Sequence, residues 1–114
     1  MTSRPRRPAL PPASEMRRHA EDATELLKAL ANPHRLQILC VLGEGELSVG
    51  GLNKRIRLSQ SALSQHLALL RRDRLVAARR ESQTIYYRIL PGVAMEVIGV
   101  LYRHFCAGIR ITPR

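Results

Sequence analysis

The chain has 114 residues and a mass of 12.8 kDa, room for one small domain and too little for a two-domain enzyme. Apolar residues make up 45% of it, but with three tyrosines, one phenylalanine and no tryptophan the core must be aliphatic, which argues against a row of aromatic platforms for single-stranded nucleic acid. Nineteen Lys and Arg against nine Asp and Glu leave a net charge of +10, a surplus that calls for a polyanionic partner.

Residues 1–13 hold four prolines and three arginines with no periodic apolar pattern and are expected to form a disordered tail. From Ser14, a candidate N-cap, Met16, Ala20, Ala23, Leu27 and Leu30 recur at helical spacing and predict a first amphipathic helix. Asn32-Pro33 ends it and starts the next, with Asn as cap and Pro at the first helical position, where no N–H is needed. Leu36, Leu39 and Cys40 are read as the face of this second helix, which runs to Gly43. Ser48 caps a short third helix through Ile56, weakened by Gly50 and Gly51.

After a tight turn at Leu58-Ser59, Ser59 caps a fourth helix reaching about Arg72. There Leu63, Leu67 and Leu70 form a packing stripe, and Gln60, Ser61, Ser64, Gln65 and Arg72 lie away from it. Leu75 to Arg80, the polar turn 81–84 and the alternating Ile85, Tyr87 and Ile89 predict a β-hairpin. Pro91 opens a last helix through Cys106. Its stripe of Val93, Val97, Val100 and His104, widened by Ala94, Ile98, Leu101 and Phe105, has one side for its own core and one for a partner subunit. The fold class is therefore mainly α with a small β-hairpin, in the order α-α-α-α-β-β-α. One domain is expected over 14–107, with a short tail at 108–114.

The charge is focused. Lys54, Arg55, Arg57, Arg71, Arg72, Arg74, Arg79 and Arg80 against Asp73 place +7 within 54–80, the segment with helix-turn-helix spacing. A short helix, a turn and a second helix that begins with small polar residues suit the major groove of double-stranded DNA. Ser61 and Ser64 allow close approach, and Gln60 and Gln65 can pair with adenine through two hydrogen bonds. Arg71 and Arg72 at the helix end, and Arg79 and Arg80 on the hairpin, are candidates for phosphate contact, which makes the motif winged. His66 falls beside the packing stripe and is read as a packed or hydrogen-bonded residue.

No apolar run approaches the roughly 20 residues that span a bilayer. Neither Arg6-Arg7 nor Arg17-Arg18 is followed by the apolar stretch of a secretory or twin-arginine signal. A cytoplasmic protein without a membrane partner is expected. In that compartment a lasting disulfide between Cys40 and Cys106, 66 positions apart, is not expected, and neither cysteine lies in a CxxC hairpin.

The run Leu30-Ala31-Asn32-Pro33-His34-Arg35-Leu36-Gln37-Ile38-Leu39, the segment Glu46-Leu47-Ser48-Val49-Gly50-Gly51-Leu52, the core Ser59-Gln60-Ser61-Ala62-Leu63-Ser64-Gln65-His66-Leu67 and the strand Tyr86-Tyr87-Arg88 resemble the ArsR/SmtB winged-helix regulators over about residues 20–107. The resemblance implies a homodimer closed by the first and last helices, paired recognition helices on a palindromic operator and, usually, repression relieved by an inducer. Where many members carry a metal-binding Cys-x-Cys, this chain has Ser48-Val49-Gly50, and hydroxyl and glycine cannot replace two thiolates. Glu96 and His104 have no second ligand pair at helical spacing, so neither a metal nor any other cofactor is implied, although a metal-sensing regulator stays an alternative.

Cys40 and Cys106 instead look like the dithiol of the persulfide-responsive branch, the BigR/SqrR/HlyU-like regulators, in which reactive sulfur species join the two cysteines through sulfur atoms. The resemblance implies a repressor with a thiol sensor. Two other readings stay open: inert, buried cysteines, and an activator that works by anti-silencing. A thiol enzyme is not expected, because His104 and Cys106 point about 200° apart on a helix and no glycine-rich oxyanion loop accompanies them.

Overall fold

The computed structural model describes Leu10 and residues 12–107. The expectations for the rest of the N-terminal tail and for the tail at 108–114 lie outside the described residues. Five helices and three short strands follow one another as α1 (Ala13–Leu30), α2 (Pro33–Glu44), β1 (Leu47–Ser48), α3 (Val49–Arg55), α4 (Gln60–Arg72), β2 (Val76–Glu81), β3 (Thr84–Ile89) and α5 (Val93–Tyr102). A single π-helical turn, Arg103–Ala107, ends the described chain.

Local chemistry sets most of the boundaries. The Asn32 side chain accepts from the backbone N–H groups of His34 and Arg35 at 2.9 and 3.0 Å, with Pro33 behind it at the first helical position. Ser48 accepts from Gly51 N–H at 3.0 Å, and Ser59 from Ala62 N–H at 3.1 Å. α1 departs from expectation: it starts at Ala13 with Pro12 in the cap position, and Ser14 lies inside it. α4 closes with Leu75 N–H donating to Leu70 C=O and Arg74 N–H to Arg71 C=O, the paired bonds of a Schellman cap. Arg74 holds its left-handed position at φ 61°.

Ile38, Leu39 and Leu42 from α2, Leu52 and Ile56 around α3, Leu63, Leu67 and Leu70 from α4, and Val76 and Ile89 from the hairpin form one aliphatic core. The expected α2 face is corrected: Ile38, Leu39 and Leu42 point inward, Leu36 is half-buried and Cys40 is exposed. An i, i+1, i+4 set is the arc that α4 and β3 cover, and Leu36 and Cys40, one turn apart, sit on its flank.

The hairpin is tighter than expected. Glu81 pairs with Thr84, leaving a two-residue turn at Ser82 and Gln83 with Ser82 at φ 58°. β1, absent from the expected order, pairs antiparallel with β3 and gives a three-stranded sheet in the order β1-β3-β2. Two residues carry too little alternation to read as a strand.

Among the described residues, most of the exposed large apolar side chains lie on the end helices. Of the predicted α1 stripe only Leu30 is buried, beside Ala29, while Met16 and Leu27 are exposed. On α5, Ala94 is buried and Val97 and Ile98 pack against the core, leaving Val93, Met95, Val100, Tyr102 and, beyond it, Phe105 exposed. The helix expected to reach Cys106 ends at Tyr102, and Cys106 belongs to the π-turn.

Candidate nucleic-acid interface and thiol pair

α3, the 56–59 turn and α4 form the helix-turn-helix. The Asn53 side-chain amide donates to Leu58 C=O at 2.8 Å and fixes the turn, and Ser59 then starts α4 through its cap. Leu63, Leu67 and Leu70 are fully buried, which anchors α4 and fixes its rotation about its own axis. Gln60, Ser61, Ser64 and Gln65 are all exposed on its first two turns, the end a recognition helix offers to base edges.

Arg71 and Arg72 are exposed at the far end of α4, with Arg72 3.2 Å from Asp73. Arg80 is exposed on β2, and among the described residues no ion pair holds Arg71 or Arg80. Arg79 has different company from that expected. Its Nε and Nη2 donate to the Glu46 carboxylate at 2.8 Å each, its Nη1 donates to Glu81 at 2.8 Å, and the guanidinium lies 4.6 Å above the Tyr86 ring centroid. The hydrogen bonds to Glu46 and Glu81 hold the Arg79 proton more firmly than usual, and the Arg79 guanidinium in turn holds the Glu46 carboxyl below its ordinary value. Glu46 lies 33 positions away and carries no local signal in the sequence.

Two further groups adjoin the reading helix. Gln83 and Thr84 at the hairpin tip line a groove with Gln60 and Ser48, and Arg57 stands exposed in the turn before α4. The basic block contains Arg57, whereas the tip residues lie beside Gln60 through tertiary packing of the hairpin, which leaves no local signal in the sequence.

His66 is half-buried on the inner flank of α4, as expected. Its Nδ1 is 3.4 Å from Arg35 Nη1, and its ring centroid is 5.9 Å from that of His34. Arg35 is held by Ala29 C=O at 2.7 Å and Lys28 C=O at 3.0 Å. A guanidinium can only donate, so in this contact His66 Nδ1 is the acceptor, a role that the neutral ring alone can fill. Desolvation, then Arg35 and His34, pull the His66 pKa below its ordinary value.

Both cysteines are free thiols and both are exposed. Cys40 lies on α2 in a groove lined by Leu36, Gln37, Val41, Arg55 and Ile56. Desolvation is the largest influence raising its pKa, followed by the charges of Cys106 and Glu44. Cys106 lies on the π-turn that follows α5, and α5 packs against α2, the helix that carries Cys40. Among the described residues, no three of His, Cys, Asp and Glu group closely enough to hold a metal ion, and no helix is long and apolar enough to cross a membrane.

Residues 32–78 match the family model "Bacterial regulatory protein, arsR family". The chain is 53% identical over 92 residues to the transcriptional activator HlyU of Vibrio cholerae, covering 81% of this chain and 85% of the relative. It is 41% identical over 93 residues to the biofilm growth-associated repressor of Xylella fastidiosa, covering 82% of each. The solved structure of reduced HlyU from V. cholerae superposes with a TM-score of 0.76 at 53% identity, over 82% of this chain and 98% of that one.

Proposed function

The chain belongs to the arsR family of bacterial regulatory proteins, a winged helix-turn-helix transcriptional regulator of the ArsR/SmtB type in its HlyU/BigR branch, and from that premise we propose that it is a dimeric repressor switched by sulfur chemistry at Cys40 and Cys106. It acts by binding rather than catalysis. Gln60, Ser61, Ser64 and Gln65 read base edges in the major groove, while Arg71, Arg72 and Arg80 hold phosphates. The exposed apolar residues of α1 and α5 support a homodimer closed by these helices, which sets two recognition helices on a palindromic operator.

One observation carries the switch: two free, exposed thiols lie on α2 and on the turn that ends α5, elements packed against each other and separate from the reading face of α4. With trisulfane as donor, the Cys40 thiolate attacks the central sulfur and expels hydrosulfide, leaving two added sulfurs on Cys40. The Cys106 thiolate attacks the first added sulfur, expels a second hydrosulfide and closes a bridge with one sulfur between the two cysteine sulfurs. The two thiol protons leave with the hydrosulfides. The bridge ties α2 to the end of α5, which shifts the angle between the two recognition helices.

Titrating an operator duplex with reduced and polysulfide-treated protein tests the switch. Affinity falls on treatment and stays constant in Cys106→Ser; unchanged affinity of the treated wild-type protein removes it. The name of the Vibrio cholerae relative favours a second reading, activation by displacing a silencing protein from DNA. A reporter in a deletion strain separates the two by the sign of the change.

A further inference from the structure

The Cys40 groove is apolar along Leu36, Val41 and Ile56, and Arg55 is the one cation among its lining residues. Arg55 is half exposed, and its guanidinium reaches Glu44 at 3.1 Å with both partners in solvent. An exposed pair of this kind is worth about 0–1 kcal/mol, so a carboxylate arriving with a ligand competes for the guanidinium at little cost. Glu44 is the carboxylate whose charge acts on Cys40: it adds to the desolvation that raises the thiol's pKa, and it repels anions from the sulfur. Arg55 thus has two effects at the groove: it neutralises Glu44, and it offers a donor for an incoming anion. It does not activate the thiol itself, whose pKa stays raised.

We infer that Arg55 is a specificity residue that directs anionic low-molecular-weight persulfides to Cys40; this rests on the sulfur-sensing reading of the Cys40/Cys106 pair. The donor is a thiol persulfide with at least one carboxylate. Its carboxylate meets Arg55, and its sulfane sulfur lies against the apolar wall beside Cys40. The Cys40 thiolate attacks that outer sulfur, the donor's S–S bond breaks, and its electron pair leaves on the donor's thiolate. The outer sulfur keeps its proton, so Cys40 becomes a persulfide without an external oxidant. Peroxide has no group for Arg55 to hold and gains nothing from it.

The experiment measures sulfur transfer to Cys40 in the full chain with Cys106→Ser, so that no bridge forms, and reads it as one added sulfur by intact-mass spectrometry. Glutathione persulfide is the anionic donor, and cysteamine persulfide supplies the same sulfur chemistry without a carboxylate. Arg55→Gln is expected to slow the glutathione persulfide reaction about tenfold and to leave the cysteamine persulfide rate within about twofold, while Arg55→Lys keeps most of the preference. Equal slowing of both donors, or of neither, overturns the inference and leaves the sulfur-sensing reading standing. Cys40 that takes sulfur from neither donor, even before Arg55 is changed, overturns both.

Discussion

Arg79 crosses over the Tyr86 ring to grip both Glu46 carboxylate oxygens at 2.8 Å, tying β2 to the residue that enters β1. The register places Arg79 opposite Tyr86 and Tyr86 opposite Ser48, so the side chain spans the middle strand. A wing arginine with every nitrogen given to a carboxylate has little left for phosphate. Arg79→Ala is therefore expected to leave the salt dependence of operator binding nearly unchanged. Titrations across a range of salt concentrations check this, and a slope reduced by about 1 would return Arg79 to the DNA.

Arg80 and Gln65 behave differently from Arg79 and from each other. Arg80→Ala removes from the wing a cation that no ion pair among the described residues holds, and lowers the salt slope by about 1 on any duplex. Gln65→Ala costs about 1–3 kcal/mol on the operator alone, because a base-edge contact carries sequence information and a phosphate contact does not. Equal losses on operator and random duplex for Gln65→Ala would contradict the reading face.

Arg74 sits at φ 61° in the Schellman cap of α4, where a side chain costs about 1 kcal/mol relative to glycine. Arg74→Gly removes that strain and gives part of the gain back through a more flexible unfolded chain, so a net stabilisation below about 1 kcal/mol is expected. Urea unfolding checks the sign. A destabilised variant would mean that the Arg74 side chain contributes more than its backbone costs.

His66 gives a pH dependence with a defined direction. Its folded pKa lies below the ordinary value near 6.5, so the unfolded chain binds its proton more readily. Stability is complete above that value and falls as acidification brings a second cation beside Arg35. Denaturant midpoints at about pH 7.5 and about pH 5.5 should separate clearly for the wild-type chain and much less for His66→Gln. Matching pH slopes would assign the loss to other groups.

The elements most legible in the sequence are those whose signals are local. Asn32, Ser48 and Ser59 cap through hydrogen bonds to residues two or three positions away, and the Leu63, Leu67 and Leu70 stripe fixes which way α4 faces. That was enough to place Gln60, Ser61, Ser64 and Gln65 on the surface. What escaped depends on distant partners. β1 exists through its pairing with β3, and the role of Arg79 is decided by Glu46, neither of which leaves a periodic trace. The one-turn spacing from Leu36 predicts Cys40 on the inner face of α2, but which arc of an apolar helix is covered is set by the packing of α4 and β3, and Cys40 falls outside it.

The most direct test of the account is the covalent state of the two thiols after exposure to polysulfide. Intact-mass spectrometry with peptide mapping on the treated wild-type protein should find the Cys40 and Cys106 peptides joined within one chain and carrying at least one added sulfur. Two thiols that stay unmodified, or that take up sulfur separately without ever becoming linked, would contradict it.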